Sequence, residues 1–155
     1  MDKKTRVLFL STRNSTRSQM AEGFLRALAE DEFEAASAGI DAKDLNLLAV
    51  DVMTEIGIDI SHQGPKNVSE CLKEHFGYVI TLCDMAREKA PIFPFTPHLL
   101  HWSLEDPVAA IGSEEEKKEV FRRVRDTIHT NVENFLADAS EKHAGEPALV
   151  SHGAR

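Results

Sequence analysis

The chain has no apolar run long enough to cross a bilayer, and its charged start Met1-Asp2-Lys3-Lys4 leads into only a four-residue apolar stretch before polar residues resume. That pattern excludes a membrane-spanning helix and a signal peptide, so no membrane partner and a cytoplasmic location are expected. Cysteine is scarce. Two in 155 residues form no disulfide framework and are read as thiols. Positive charge is also in deficit: 18 Lys and Arg against 26 Asp and Glu leave a net charge of −8, which argues against nucleic acid as a partner. The seven histidines show no metal-ligand cluster. The nearest pair, His98 and His101, would lie on opposite faces of a strand, so no metal site is expected. A Gly-x-x-x-x-Gly-Lys-Ser/Thr motif is missing too, which disfavours a nucleotide-binding phosphate loop.

What is present suits one compact domain, since 42% hydrophobic residues over this length can bury a real core. Residues 7–10 read Val-Leu-Phe-Leu, a buried strand, and Met20, Phe24, Leu25 and Leu28 follow at helical spacing. A weak second strand is expected at 34–37. Ala49, Val52, Met53 and Ile56 mark a helix ending at Gly57, a left-handed cap. Another helix is expected over 68–76, then strands at 78–82 and 99–102. Ser113 with Glu116 forms a capping-box pattern, after which Val120, Phe121, Val124, Ile128, Val132 and Phe135 hold helical spacing to about Leu136. Strands alternating with helices predict an α/β fold, a single-domain, doubly wound, four-stranded parallel sheet. The domain is expected over 1–137, with 138–155 a flexible tail lacking periodicity. A monomer is expected.

Residues 11–17 therefore form a strand-to-helix loop at the carboxyl end of the first strand, where ligands sit in such folds. Ser11, Thr12, Arg13, Asn14, Ser15 and Thr16 are mostly small and polar, so their backbone N–H groups can turn inward as an anion nest, aided by the dipole of the next helix. Arg17 can close the ring with a planar fork matched to a tetrahedral oxyanion. Asn14 and Ser18 would brace the loop, and Arg13 adds charge at its rim. Spacing alone leaves open an ordinary turn with a solvated arginine.

The stretch Ser11-Thr12-Arg13-Asn14-Ser15-Thr16-Arg17-Ser18-Gln19-Met20-Ala21-Glu22-Gly23 is similar to the signature of bacterial arsenate reductases of the low-molecular-weight tyrosine phosphatase fold. Further matches follow in order: Ser37-Ala38-Gly39, Gly57-Ile58-Asp59-Ile60-Ser61, Val79-Ile80-Thr81-Leu82-Cys83-Asp84, His101-Trp102-Ser103-Leu104-Glu105-Asp106-Pro107 and Phe121-Arg122-Arg123-Val124-Arg125-Asp126. The resemblance implies an arsenate or phosphate ligand in the loop formed by residues 11–18. It also implies that Asp106, before Pro107, is a general acid for the leaving oxygen.

By the same resemblance the family pattern begins with a nucleophilic cysteine where this chain has Ser11, Cys83 matches a second cysteine, and Ala90 stands where a third is expected. No bound cofactor is implied; a thiol reductant such as thioredoxin, glutathione or mycothiol would close a reductase cycle. A cysteine with an unperturbed pKa of roughly 8.5 becomes a thiolate in such a loop, whereas serine needs an adjacent base. Ser11 would thus keep oxyanion binding and remove nearly all covalent chemistry, through either an engineered trap or a natural loss. Cys71 reads as structural. Lys66 falls where some relatives place a potassium-holding aspartate beside residues matching Asn14, Glu22 and Ser37, so potassium is not expected. The readings that remain are an arsenate reductase-like chain, a low-molecular-weight phosphatase, and a noncatalytic oxyanion-binding or regulatory homologue.

Overall fold

A computed structural model describes residues 4–93 and 96–145. The strands are β1 (Thr5–Ser11), β2 (Phe33–Gly39), β3 (Tyr78–Thr81) and β4 (His98–His101); the helices are α1 (Arg17–Ala29), α2 (Leu47–Thr54), α3 (Asp84–Lys89) and α4 (Glu114–Gly145). All three strand pairings are parallel and the order is β2-β1-β3-β4. The chain leaves β1 toward one side of the sheet and later returns on the other, so the carboxyl end of β1 is the topological switch point.

β1 explains itself by its two-residue period. Val7 and Phe9 face one core with Met20, Phe24 and Leu25 of α1 and Phe121, Val124, Ile128 and Val132 of α4. Leu8 and Leu10 face a second core with Ala36, Ala38, Val79, Cys71 and Phe76. Both faces are covered, which is why the strand reads as a continuous apolar run. The expected α/β sheet is therefore observed, and β2 is longer than expected, pairing with β1 from Thr5↔Phe33 to Ser11↔Gly39.

Three expectations need correction. Residues 68–76 do not form one helix: only a 3-10 turn, Val68–Cys71, is present. Cys71 and Phe76 would project about 140° apart on an α-helix, yet both are buried, so the chain must break between them. The last helix does not stop near Leu136. It continues to Gly145, and Ala139 is buried one turn beyond Phe135, so residues 138–145 are helix rather than tail. Residues 146–155, the rest of that expected tail, lie outside the described residues. Helix α3 was not expected: it is six residues long, with Ala86 its only buried residue. By contrast, Ser113 and Glu116 do cap α4 reciprocally, Ser113 N–H to Glu116 Oε1 at 2.7 Å and Glu116 N–H to Ser113 Oγ at 3.1 Å. Gly57 does end α2 with a positive φ of 85°.

Helices α2 and α4 are pinned by charge. Glu55, at the end of α2, accepts from Arg122 Nη2 at 2.8 Å and from Arg125 Nη1 at 2.9 Å. Hydrogen bonds from Arg122 foremost, then those from Arg125, lower the Glu55 pKa from 4.5 to about 2. A depressed carboxylate contributes stability above its unfolded pKa and loses it as pH falls through its folded one. Acid unfolding followed by circular dichroism should therefore show stability dropping between pH 4.5 and about 2. Glu55→Gln should flatten that interval; an unchanged acid profile would show the pair contributes nothing.

Candidate functional site

The loop after β1 is shaped by its carbonyls. Ser11 O accepts from Ile40 N–H at 3.2 Å, Thr12 O from Asp41 N–H at 2.8 Å, Arg13 O from Lys43 N–H at 2.8 Å and Ser15 O from Asn46 N–H at 2.9 Å. Thr16 O accepts from Met20 N–H at 2.9 Å, and Asn14 O from Gln19 Nε2 at 2.9 Å. Every carbonyl from Ser11 to Thr16 is thus engaged by the surrounding shell. With the acceptors held outside, the loop is left to present donors to its concave side, the requirement for an anion nest.

Asn14 adopts φ 54°, in the left-handed region that asparagine tolerates better than most residues. Its side chain repays the strain: Nδ2 donates to Ser18 Oγ at 2.7 Å and Oδ1 accepts from Lys66 N–H at 2.8 Å. Ser11 Oγ lies 2.7 Å from Ser18 Oγ and accepts from Asn14 N–H at 3.2 Å. Gln19 is held from across the chain by Gln63, whose Nε2 donates to Gln19 Oε1 at 2.8 Å. Asn14 and Ser18 are fully buried, and their side chains brace the loop.

The cavity itself measures about 190 Å³ and is lined by Ser11, Thr12, Arg13, Ser15, Thr16, Arg17, Met85, Asp106 and Val108. Arg17 is buried and donates from Nη1 to Leu104 O at 3.2 Å, while its Nη2 lies 3.8 Å from Asp106 Oδ1. Asp106 in turn accepts from Val108 N–H at 3.1 Å, capping the 3-10 turn Pro107–Ala109. Its side chain is about half exposed, so the carboxyl reaches the mouth of the cavity. Cys83 Sγ lies 3.2 Å from Thr12 Oγ1, which places a thiol beside the residue that follows Ser11. Cys71 is buried in the second core, and burial raises its pKa.

The candidates from distant parts of the chain thus converge: the 11–17 loop and Asp106 line one cavity, and the Cys83 thiol lies against Thr12 of that loop. Reading the residues alone missed Gly39, Gln63, Met85 and Val108. A Cβ on Gly39 would sit 2.8 Å from Arg13 C and from Asn14 N, so the β2 backbone abuts the loop where no side chain fits. Gly39→Ala should displace the loop and abolish phosphate binding by calorimetry. Gly64→Ala, where a Cβ meets nothing within 4 Å, should bind like the parent. Equal binding by both would refute this packing argument.

A strand-loop-helix whose carbonyls are all turned outward, closed by a buried arginine, has a counterpart in sequence. Residues 6–144 match the profile of the low molecular weight phosphotyrosine protein phosphatase family. The chain belongs to that family. Curated arsenate reductases are among the proteins it is similar to. That of Bacillus licheniformis is 46% identical over 137 residues, spanning 87% of this chain and 96% of that protein. That of Halalkalibacterium halodurans is 44% identical over 135 residues, with the same coverage of both. A solved structure described as an arsenate reductase in the phosphate binding state superposes with a TM-score of 0.75 at 34% identity, over 86% of this chain and 98% of that one. Arsenate reduction and phosphate-ester chemistry are therefore the enzymatic activities at family level. Among the described residues no helix is long and apolar enough to cross a membrane.

Proposed function

We propose that this chain binds arsenate or phosphate in the 11–17 loop, within an arsenate reductase-like site that Ser11 disables for covalent chemistry. The observation that supports this is the ring of outward-held carbonyls from Ser11 to Thr16, completed by the Arg17 guanidinium. Such a ring supplies backbone donors and a fixed fork to a tetrahedral anion without reorganising on binding. By resemblance to the family's reductases, a thiolate at position 11 would react as follows with Asp106 and Cys83. That sulfur attacks arsenic, and the departing oxygen takes a proton from Asp106 and leaves as water. The Cys83 thiolate then attacks the sulfur at position 11; a disulfide forms, the sulfur–arsenic bond breaks, and its electron pair stays on arsenic, which departs as arsenite. Two thiols are oxidised and As(V) is reduced to As(III). A thiol reductant, thioredoxin, glutathione or mycothiol, would restore the pair.

In the chain as written, Ser11 Oγ is bonded to Ser18 Oγ and to Asn14 N–H, with no imidazole or carboxylate among its recorded partners to take its proton. Binding is then the activity that remains. Arsenate or phosphate should raise the melting temperature, by about 2.7 kcal/mol of added stability at a ligand concentration of 100 times Kd. Differential scanning calorimetry with and without each anion, at matched ionic strength, tests this; no shift at millimolar anion would overturn it.

A further inference from the structure

Beside Cys83 in sequence, Asp84 is bonded to an imidazole that the reaction above does not use. His101, the last residue of β4, lies with Nδ1 2.7 Å from Thr81 Oγ1 and with Nε2 3.1 Å from Asp84 Oδ1. A carboxylate only accepts, so Nε2 carries the proton and donates to Asp84 Oδ1. One ring thereby ties the end of β3 to the start of α3, and only Leu82 and Cys83 lie between its two anchors. Leu82 is already fixed, fully buried and donating its N–H to Leu10 O at 2.8 Å. Thr81 is fixed as well, its carbonyl accepting from Trp102 N–H at 2.8 Å. What the imidazole adds is the position of Asp84, and so of Cys83, which caps α3 in an extended conformation with φ −156° and ψ 160°. Packing also bears on that position, since Cys83 and Ala86 are both buried in the second core, but α3 itself buries no other residue.

We propose that His101, through Asp84, is a positioning residue that holds the Cys83 thiol against the Thr12 hydroxyl at the edge of the oxyanion loop. Its consequence for turnover rests on the reading of Cys83 given above; the clamp itself does not. The test is the rate at which iodoacetamide alkylates Cys83 in the intact protein, followed by peptide mass spectrometry well below the melting temperature. Released from the clamp, the start of α3 should open and expose the thiol. His101→Phe, which removes both hydrogen bonds of the clamp, should then react about tenfold faster, and Asp84→Ala, which removes one of them, about fivefold faster. Asp84→Asn keeps an acceptor for Nε2–H and should stay within about twofold of the parent. Asp84 is an exposed surface residue, so its variants remain informative if His101→Phe fails to fold. Equal rates in all variants would overturn the clamp, as would Asp84→Asn behaving like Asp84→Ala. In a Ser11→Cys background, His101→Phe should lower kcat for arsenite production and leave KM for arsenate unchanged. If Ser11→Cys makes no arsenite, the functional reading fails while the alkylation rates still decide the clamp.

Discussion

Ser11→Cys should convert a binding protein into an enzyme. The substitution changes one atom at a position that is already buried at the end of β1 and facing the cavity. A thiol there meets the start of α1 and the Arg17 guanidinium, both of which favour the thiolate, whereas the serine hydroxyl has no base beside it. Thiol-dependent arsenite production should appear, with a rise in turnover on the order of 10⁴ or more, the scale on which loss of a nucleophile acts. p-Nitrophenyl phosphate hydrolysis measured on the same protein separates the two family chemistries. It needs the new thiolate and Asp106 but not Cys83. Cys83→Ala in the Ser11→Cys background should therefore abolish arsenite production and spare ester hydrolysis. A folded Ser11→Cys protein that binds anion but shows neither activity would mean that the site has become a binding module.

Arg17→Ala should abolish anion binding. Each hydrogen bond to a charged group contributes about 1.5–3 kcal/mol, so loss of a two-pronged fork should weaken phosphate binding by roughly 10²- to 10⁴-fold. Part of the effect would be indirect, because Arg17 also holds the Leu104 carbonyl and so the segment that carries Asp106. Arg17→Lys restores the charge without the planar fork, so binding should recover only partly. Isothermal titration calorimetry reads all three proteins. If Arg17→Ala binds phosphate as the parent does, the cradle is not where the anion sits.

The parts of this molecule that could be read from the chain are those specified by near neighbours. β1, its loop and α1 are a strand period meeting a helix period across small polar residues, and Asn14 and Ser18 are residue types suited to bracing a turn. Asp106 and Cys83 were drawn from family resemblance, and the structure brings Asp106 to the cavity and the Cys83 thiol to Thr12 of its loop. What was misread depends on distant partners or on small residues. Helix α4 extends beyond Leu136 because Ala139 continues the buried stripe of Val132 and Phe135, and alanine carries too weak a hydrophobic signal to announce it. The turn at 68–71 stops because Phe76 is required in the core, a demand made by the sheet. Gln63 reaches Gln19 across 44 residues and His101 reaches Asp84 across 17; no local pattern encodes either contact.

The outward-turned carbonyls also say when the loop comes into being. Four of the six are bonded by the amides of Ile40, Asp41, Lys43 and Asn46, which lie beyond β2 and follow the pairing of β1 with β2 to Ser11↔Gly39. The cradle is therefore no autonomous hairpin that an excised peptide would reproduce. It is a product of long-range closure, so a fragment that ends at β2 carries the whole signature without the amides that engage the carbonyls of Ser11, Thr12, Arg13 and Ser15.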